Sequence, residues 1–141
     1  MRLLAILALA VALSGCGGTP TRSPEETARA WSAALNRSDN EAAAKLFAPN
    51  TEIVQNGEIV LRTHRDAVRW NAELPCGGRI TRVVRERRDQ VLVVFRLTER
   101  PGHHCDAPGL AAAVVFRVER GRIVLWRQTN PPAPLPPGPA I

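Results

Sequence analysis

Val114-Val115-Phe116-Arg117-Val118-Glu119-Arg120-Gly121-Arg122-Ile123-Val124-Leu125-Trp126 is the stretch on which the fold turns. Two runs rich in β-branched and apolar residues, Leu110 to Glu119 and Arg122 to Thr129, meet at Arg120-Gly121, where Gly121 supplies the positive φ that a tight hairpin needs. With Val118 opposite Ile123, Val114, Phe116, Val118, Ile123 and Leu125 share one apolar face. Val115, Arg117, Val124, Trp126 and Gln128 then share the other, mixed face. The apolar face is expected to meet the helices, which leaves Trp126 on the outside of the sheet.

Upstream, Ile80 to Glu86 and Gln90 to Thr98 read as two more strands around the polar turn Arg87-Arg88-Asp89. A long loop, Glu99 to Gly109, separates the two hairpins. Before them, Ser23-Pro24-Glu25-Glu26 places an N-cap, a proline at the first helical position and the far end of a capping box. Ala28, Trp31, Ala34 and Leu35 then predict one sticky face on a helix running to about Arg37. Ser38-Asp39-Asn40-Glu41 repeats the pattern for a shorter helix through Phe47, stopped by Pro49. Glu52 to Val54 and Glu58 to Leu61 flank Gln55-Asn56-Gly57, a hairpin signal. Thr63 caps a third helix from His64 to Leu74, with Asp66 at its third position.

Helices early in the chain and antiparallel strands late in it make the class α+β. The chain here resembles the nuclear-transport-factor-2-like superfamily, including its SnoaL-like group. The resemblance lies in the Trp31–Leu35 helix, Lys45-Leu46-Phe47-Ala48-Pro49, Ile53-Val54 with Asn56-Gly57, and Phe116 to Ile123. It covers residues 24–129 and implies a cone: N-terminal helices packed in a curved antiparallel sheet. Dehydratases, isomerases, cyclases and epoxide hydrolases occur in that family and place Asp, His or Tyr inside the cone. This chain has no Tyr, and His64, Asp66, His103 and His104 all fall outside its predicted strands.

The first residues carry a different message. Met1-Arg2 and an apolar run from Leu3 to Leu13 precede a small-residue pair, the pattern of an export signal. The run is too short to span a bilayer, which takes about 20 residues. Leu13-Ser14-Gly15-Cys16 resembles the lipobox of bacterial lipoproteins at every position. That resemblance implies cleavage before Cys16, a diacylglyceryl thioether on its sulfur and acylation of its new amino group, anchoring stronger than one chain gives. The expected organisation is a signal peptide over 1–15, a lipidated tether over 16–22, one domain over 23–130 and a Pro-rich tail over 131–141. The tail is a spacer, a ligand for a proline-binding module, a strap or simply unstructured chain.

The 141 residues hold 19 basic and 13 acidic side chains, net charge +6, with Lys45 the only lysine. The charges are interspersed, as in Arg85-Glu86-Arg87-Arg88-Asp89, and no stacking-aromatic module accompanies them, so nucleic acid is not an expected partner. Anionic head groups or wall polymer suit an anchored basic protein better. Cys76 and Cys105, in an export compartment, are expected to pair, stabilising by roughly 3–4 kcal/mol and tying the long loop across the mouth of the cone. The alternatives are free thiols or a metal site with His103 and His104, whose spacing matches no familiar zinc motif; neither metal nor cofactor is expected.

Trp31 and Trp70 line a cavity or fill the core. Arg96 either meets an anionic ligand group inside the cone or lies on the outer face. His64 and Asp66 form an acid/base pair, or Asp66 serves the helix cap. Three functions follow: an extracytoplasmic, membrane-anchored domain that binds a small apolar ligand or another partner; a lyase or isomerase using His64 or a loop histidine as base and Asp66 as orienter; and a structural envelope protein that dimerises through Trp126 on the outer sheet face.

Overall fold

The computed structural model describes residues 20–138. The export signal, Cys16 and the tether up to residue 19 lie outside the described residues, as do tail residues 139–141. The elements follow in the order α1 (Pro24–Asn36), α2 (Asn40–Ala44), β1 (Phe47–Val54), β2 (Glu58–Leu61), α3 (His64–Glu73), β3 (Gly77–Arg87), β4 (Gln90–Thr98), β5 (Ala111–Glu119) and β6 (Arg122–Thr129). All six strands form one sheet in the order β2-β1-β6-β5-β4-β3. No described helix is long and apolar enough to cross a membrane.

Both long helices start where their caps dictate. Ser23 Oγ accepts from the Glu26 amide at 3.1 Å while Glu26 Oε2 accepts from the Ser23 amide at 2.9 Å. Thr63 and Asp66 exchange the same pair of bonds at 3.2 and 3.1 Å. The core then forms against one face of the sheet: Val91, Val93, Phe95, Val114, Phe116, Val118, Ile123 and Ile53 are all buried under α1 and α3. Trp31 packs its ring 5.4 Å from Phe116 and 6.2 Å from Phe95.

The edge strand β3 is closed by α1. Asn36 donates to the Gly78 carbonyl at 2.9 Å and accepts from the Gly78 amide at 2.8 Å, which occupies backbone groups that an open edge would expose. The approach needs glycines: a Cβ on Gly77 would come within 2.6 Å of Asn36 Oδ1, and one on Gly78 within 3.0 Å of the Phe95 ring.

Three local expectations give way to pairing between distant segments. The second helix stops at Ala44, and Phe47 opens β1 instead of closing α2. There the Ile123 amide donates to the Leu46 carbonyl at 2.7 Å, and Phe47 pairs with Ile123. Secondly, β1 and β6 run parallel, so the sheet is antiparallel everywhere but at this junction. The pairing skips from Phe47 to Glu52. Pro49 has no N–H to give a ladder, Asn50 takes φ 59°, and the buried Thr51 hydroxyl bridges the Ala48 and Ile123 carbonyls at 2.7 Å each.

The third concerns the last hairpin. Val118 does face Ile123, but Arg117 faces Leu125, so Val124 is an extra residue. Beyond such a bulge every side chain changes face. Leu125 therefore joins Val115 and Arg117 on the outer face, and Trp126 turns inward opposite Phe116. Trp126 is 4% exposed, with its ring 6.0 Å from Trp31 and 4.9 Å from Trp70. A dimer built on an outward Trp126 is thereby corrected: that side chain belongs to the core.

Candidate functional site

Where β4 ends and β3, β5 and the 99–110 loop begin, the wide end of the sheet fails to close on α1 and leaves a cavity of about 420 Å³. Its depth is made by Trp31, Ser32 and Leu35 of α1 facing Phe95, Val114 and Trp126 of the sheet. Its rim is made by the Gln55-Asn56 turn, the Leu74–Gly78 stretch and Asp106-Ala107. Among the described residues, Asp106 is the only acidic one lining the cavity, it is exposed, and no Lys, Arg or His lines the space.

Two buried indoles differ in what their N–H groups find. Trp31 Nε1 donates to Asn71 Oδ1 at 2.8 Å, and Asn71 in turn donates to the Ala67 carbonyl at 2.8 Å. Trp126 Nε1 is buried with no acceptor among the described residues. A buried, unpaired donor costs the fold roughly 1–3 kcal/mol. Sequence reasoning missed Trp126 because nothing local marks the bulge at Val124.

The rim is fixed by the 99–110 loop, which is pinned to the last turn of α3 and the chain just beyond it. Cys76 and Cys105 are bonded (S–S 2.08 Å), as expected, so neither offers a thiolate to an ion. Cys76 Sγ lies 3.7 Å from Asp106 Oδ1, a contact without a proton to share. His103 sets its ring nitrogens 2.8 Å from the Ala72 carbonyl and 3.0 Å from that of Pro101.

Arg100, which an arginine in a polar loop gives no reason to suspect, is 3% exposed. It donates to the Asn71 and Leu74 carbonyls at 2.9 Å each, to Asn40 Oδ1 at 2.8 Å and to Ser38 Oγ at 3.1 Å. Burial pushes its guanidinium below the usual arginine range, while the negative end of the α3 dipole offsets the cost of the charge.

The other candidate residues fall elsewhere. Trp70 is core, wedged 5.7 Å from the Phe47 ring behind Trp126, and lines no part of the cavity. Arg96 lies on the outer face, exposed, donating to the Gly109 carbonyl at 2.9 Å; the inward positions of β4 are Val91, Val93 and Phe95. His64 does not meet Asp66. Its Nε2 sits 2.7 Å from Glu41 Oε2 on the exposed side of α2 and α3. Asp66 serves the cap, and hydrogen bonds from Thr63, side chain first and then backbone, hold its carboxyl below the usual range. Neither residue lines the cavity.

No functionally curated protein matches the chain. Among solved structures, a nuclear-transport-factor-2-like protein of unknown function from Cytophaga hutchinsonii superposes with TM-score 0.63 at 13% identity, over 79% of this chain and 93% of that one. A candidate ketosteroid isomerase from Kribbella flavida matches with TM-score 0.60 at 23% identity, over 79% of each chain. A candidate polyketide cyclase from Sinorhizobium meliloti matches with TM-score 0.59 at 18% identity, over 73% of this chain and 93% of that one. Identities this low establish the fold. The family model of the SnoaL-like domain matches residues 28–126, from the first buried turn of α1 to Trp126 itself. With most of the helices, sheet and cavity wall inside that span, the chain belongs to the SnoaL-like domain family.

Proposed function

We propose that this chain is a lipid-anchored, extracytoplasmic binding domain that holds a small, mostly apolar molecule in the Trp31–Trp126 cavity without transforming it. One observation carries the reading: the cavity walls are mostly apolar, the Ser32 hydroxyl already donates to the Gly78 carbonyl at 3.2 Å, and the ionised lining residue among the described residues, Asp106, stands at the exposed rim. Apolar walls with few polar groups suit binding. The isomerase and cyclase descriptions of the fold neighbours are not carried over. Acid–base chemistry needs a titrating group within hydrogen-bond reach of the reacting atom, and the one ionised lining side chain, Asp106, sits exposed at the rim.

Extracytoplasmic anchoring rests on Leu13-Ser14-Gly15-Cys16. The test is native mass spectrometry of protein gently released from a bacterial envelope, with the parent compared to Ala112→Trp, which fills the cavity from its wall. The reading expects acyl mass on Cys16 and a retained small molecule that the variant retains at much lower occupancy. An empty cavity in the parent, or equal occupancy in both proteins, removes the binding assignment; an unmodified Cys16 removes the anchor.

A further inference from the structure

The strands run from one end of the domain to the other. The cavity end carries the Gln55-Asn56 turn, the start of β3, the end of β4 and Asp106; Arg79 and Arg96, paired across β3 and β4, are exposed there on the outer face, and among the described residues no basic one lines the opening itself. The opposite end carries Lys45, the β3–β4 turn with Arg88, and the β5–β6 turn with Arg120, followed by Arg122. The first described residues lie on that opposite end. A Cβ on Gly121 would come 2.8 Å from Thr21 Cγ2 and 3.3 Å from the Arg22 amide nitrogen, so the chain enters the domain against the β5–β6 turn. Shallow hollows there are shared by Thr21 and Arg22 with Lys45, Arg88, Arg120 and Arg122. All five cations are exposed, and none forms an ion pair among the described residues. Asp89 and Glu119 are the acidic residues among them.

We infer that this basic end docks on the anionic head groups of a phospholipid bilayer, holding the cavity mouth on the far side of the domain, facing away from the membrane. The inference rests on the reading of Cys16 as the anchor. Cys16 stands six residues before Arg22, which lies against Gly121; an extension of at most ~3.5 Å per residue keeps that entry point within roughly 21 Å of the acyl chains. Surface charge acts over ~8 Å at physiological ionic strength, so the tether holds the end beside Arg22 within roughly two to three such lengths and the cations draw it the rest of the way. The nine residues of β5 put the cavity end about 30 Å farther out. A short tether and a patch of cations around its exit act on the same surface, and together they set an orientation that a tether alone leaves free.

The test uses the natively processed protein inserted in vesicles of phosphatidylcholine alone or of phosphatidylcholine with phosphatidylglycerol, read by amide hydrogen exchange. Amides at 87–90 and 119–122 should gain protection only with phosphatidylglycerol and lose it at high salt, while those at 55–57 and 109–110 stay unchanged. Arg120→Glu combined with Arg122→Glu should reduce that gain by roughly 25-fold, as a loss of about fivefold per surface cation predicts, with exchange in α1 and β4 as the control for folding. Equal protection in neutral vesicles, protection at the cavity end, or protection by soluble polyphosphate but not by phosphatidylglycerol overturns the inference. An intact mass without acyl groups would instead sink the anchor alone, and the same vesicle comparison on that protein would still decide the docking.

Discussion

Trp31→Phe and Trp126→Phe remove the same atoms from two neighbouring buried indoles, 4% exposed each, and they should have opposite effects on stability. Each deletes similar packing, about 1 kcal/mol. In Trp31→Phe the lost N–H also strands Asn71 Oδ1, on a residue that is 0% exposed. An unpaired buried acceptor adds roughly 1–3 kcal/mol, so that variant should lose about 2–4 kcal/mol. In Trp126→Phe the lost N–H had no partner. Removing it relieves a penalty of roughly 1–3 kcal/mol, which makes the variant neutral to about 2 kcal/mol more stable. Urea unfolding of ligand-stripped protein, followed by far-ultraviolet circular dichroism, reads both values, and unchanged m-values license the comparison. Equal destabilisation of the two variants would refute the claim that Trp126 carries an unspent donor.

Arg100→Met should cost about 2–4 kcal/mol by thermal unfolding, because it strips the Leu74 carbonyl and Asn40 Oδ1 of their guanidinium donor and leaves the Asn71 carbonyl with the Leu74 amide alone; a loss under half a kcal/mol would show that the loop is held without it. Replacing Cys76 and Cys105 together by Ala should lower stability by roughly 3–4 kcal/mol on the loop-entropy estimate, and hydrogen exchange at 101–110 should quicken while β4 and β5 keep their protection. Asp66 has its carboxyl held below the usual value of 3.8 in the folded chain. Its contribution is thus fully present above the unfolded value and is lost as pH falls through the folded one. Asp66→Asn should flatten the acid limb of stability against pH, and superimposable limbs for parent and variant would contradict the capping role.

What was legible in the sequence is what short segments decide for themselves. Ser23 with Glu26, and Thr63 with Asp66, fix two helix starts through bonds that span three residues. Asn56 and Gly57 adopt positive φ in the first hairpin, as do Arg120 and Gly121 in the last. Cysteine count, with the export compartment expected from the first residues, pointed to the Cys76–Cys105 bond. What was not legible depends on partners far along the chain. Phe47 is helical by local pattern and becomes strand because Ile123 takes the Leu46 carbonyl. Arg100 looks like a solvated loop residue, and only the end of α3, some 26 to 29 residues earlier, supplies the carbonyls that bury it.

Val124 joins these failures to the site. A regular β6 would set Leu125 inward and Trp126 outward, giving an apolar cavity wall with every polar group in solvent. The extra residue reverses both, and the result is locally worse: an indole N–H is buried with nothing to bond. Loss of that kind in an otherwise self-consistent core is expected where a sequence answers to something besides its own stability. The loop opposite shows the complementary feature, since Arg100, His103 and Cys105 hold it to the end of α3 with more bonds than a surface connection needs. A rigid rim stands beside an apolar wall, which is the arrangement of a preformed pocket: the cost of ordering is met in folding.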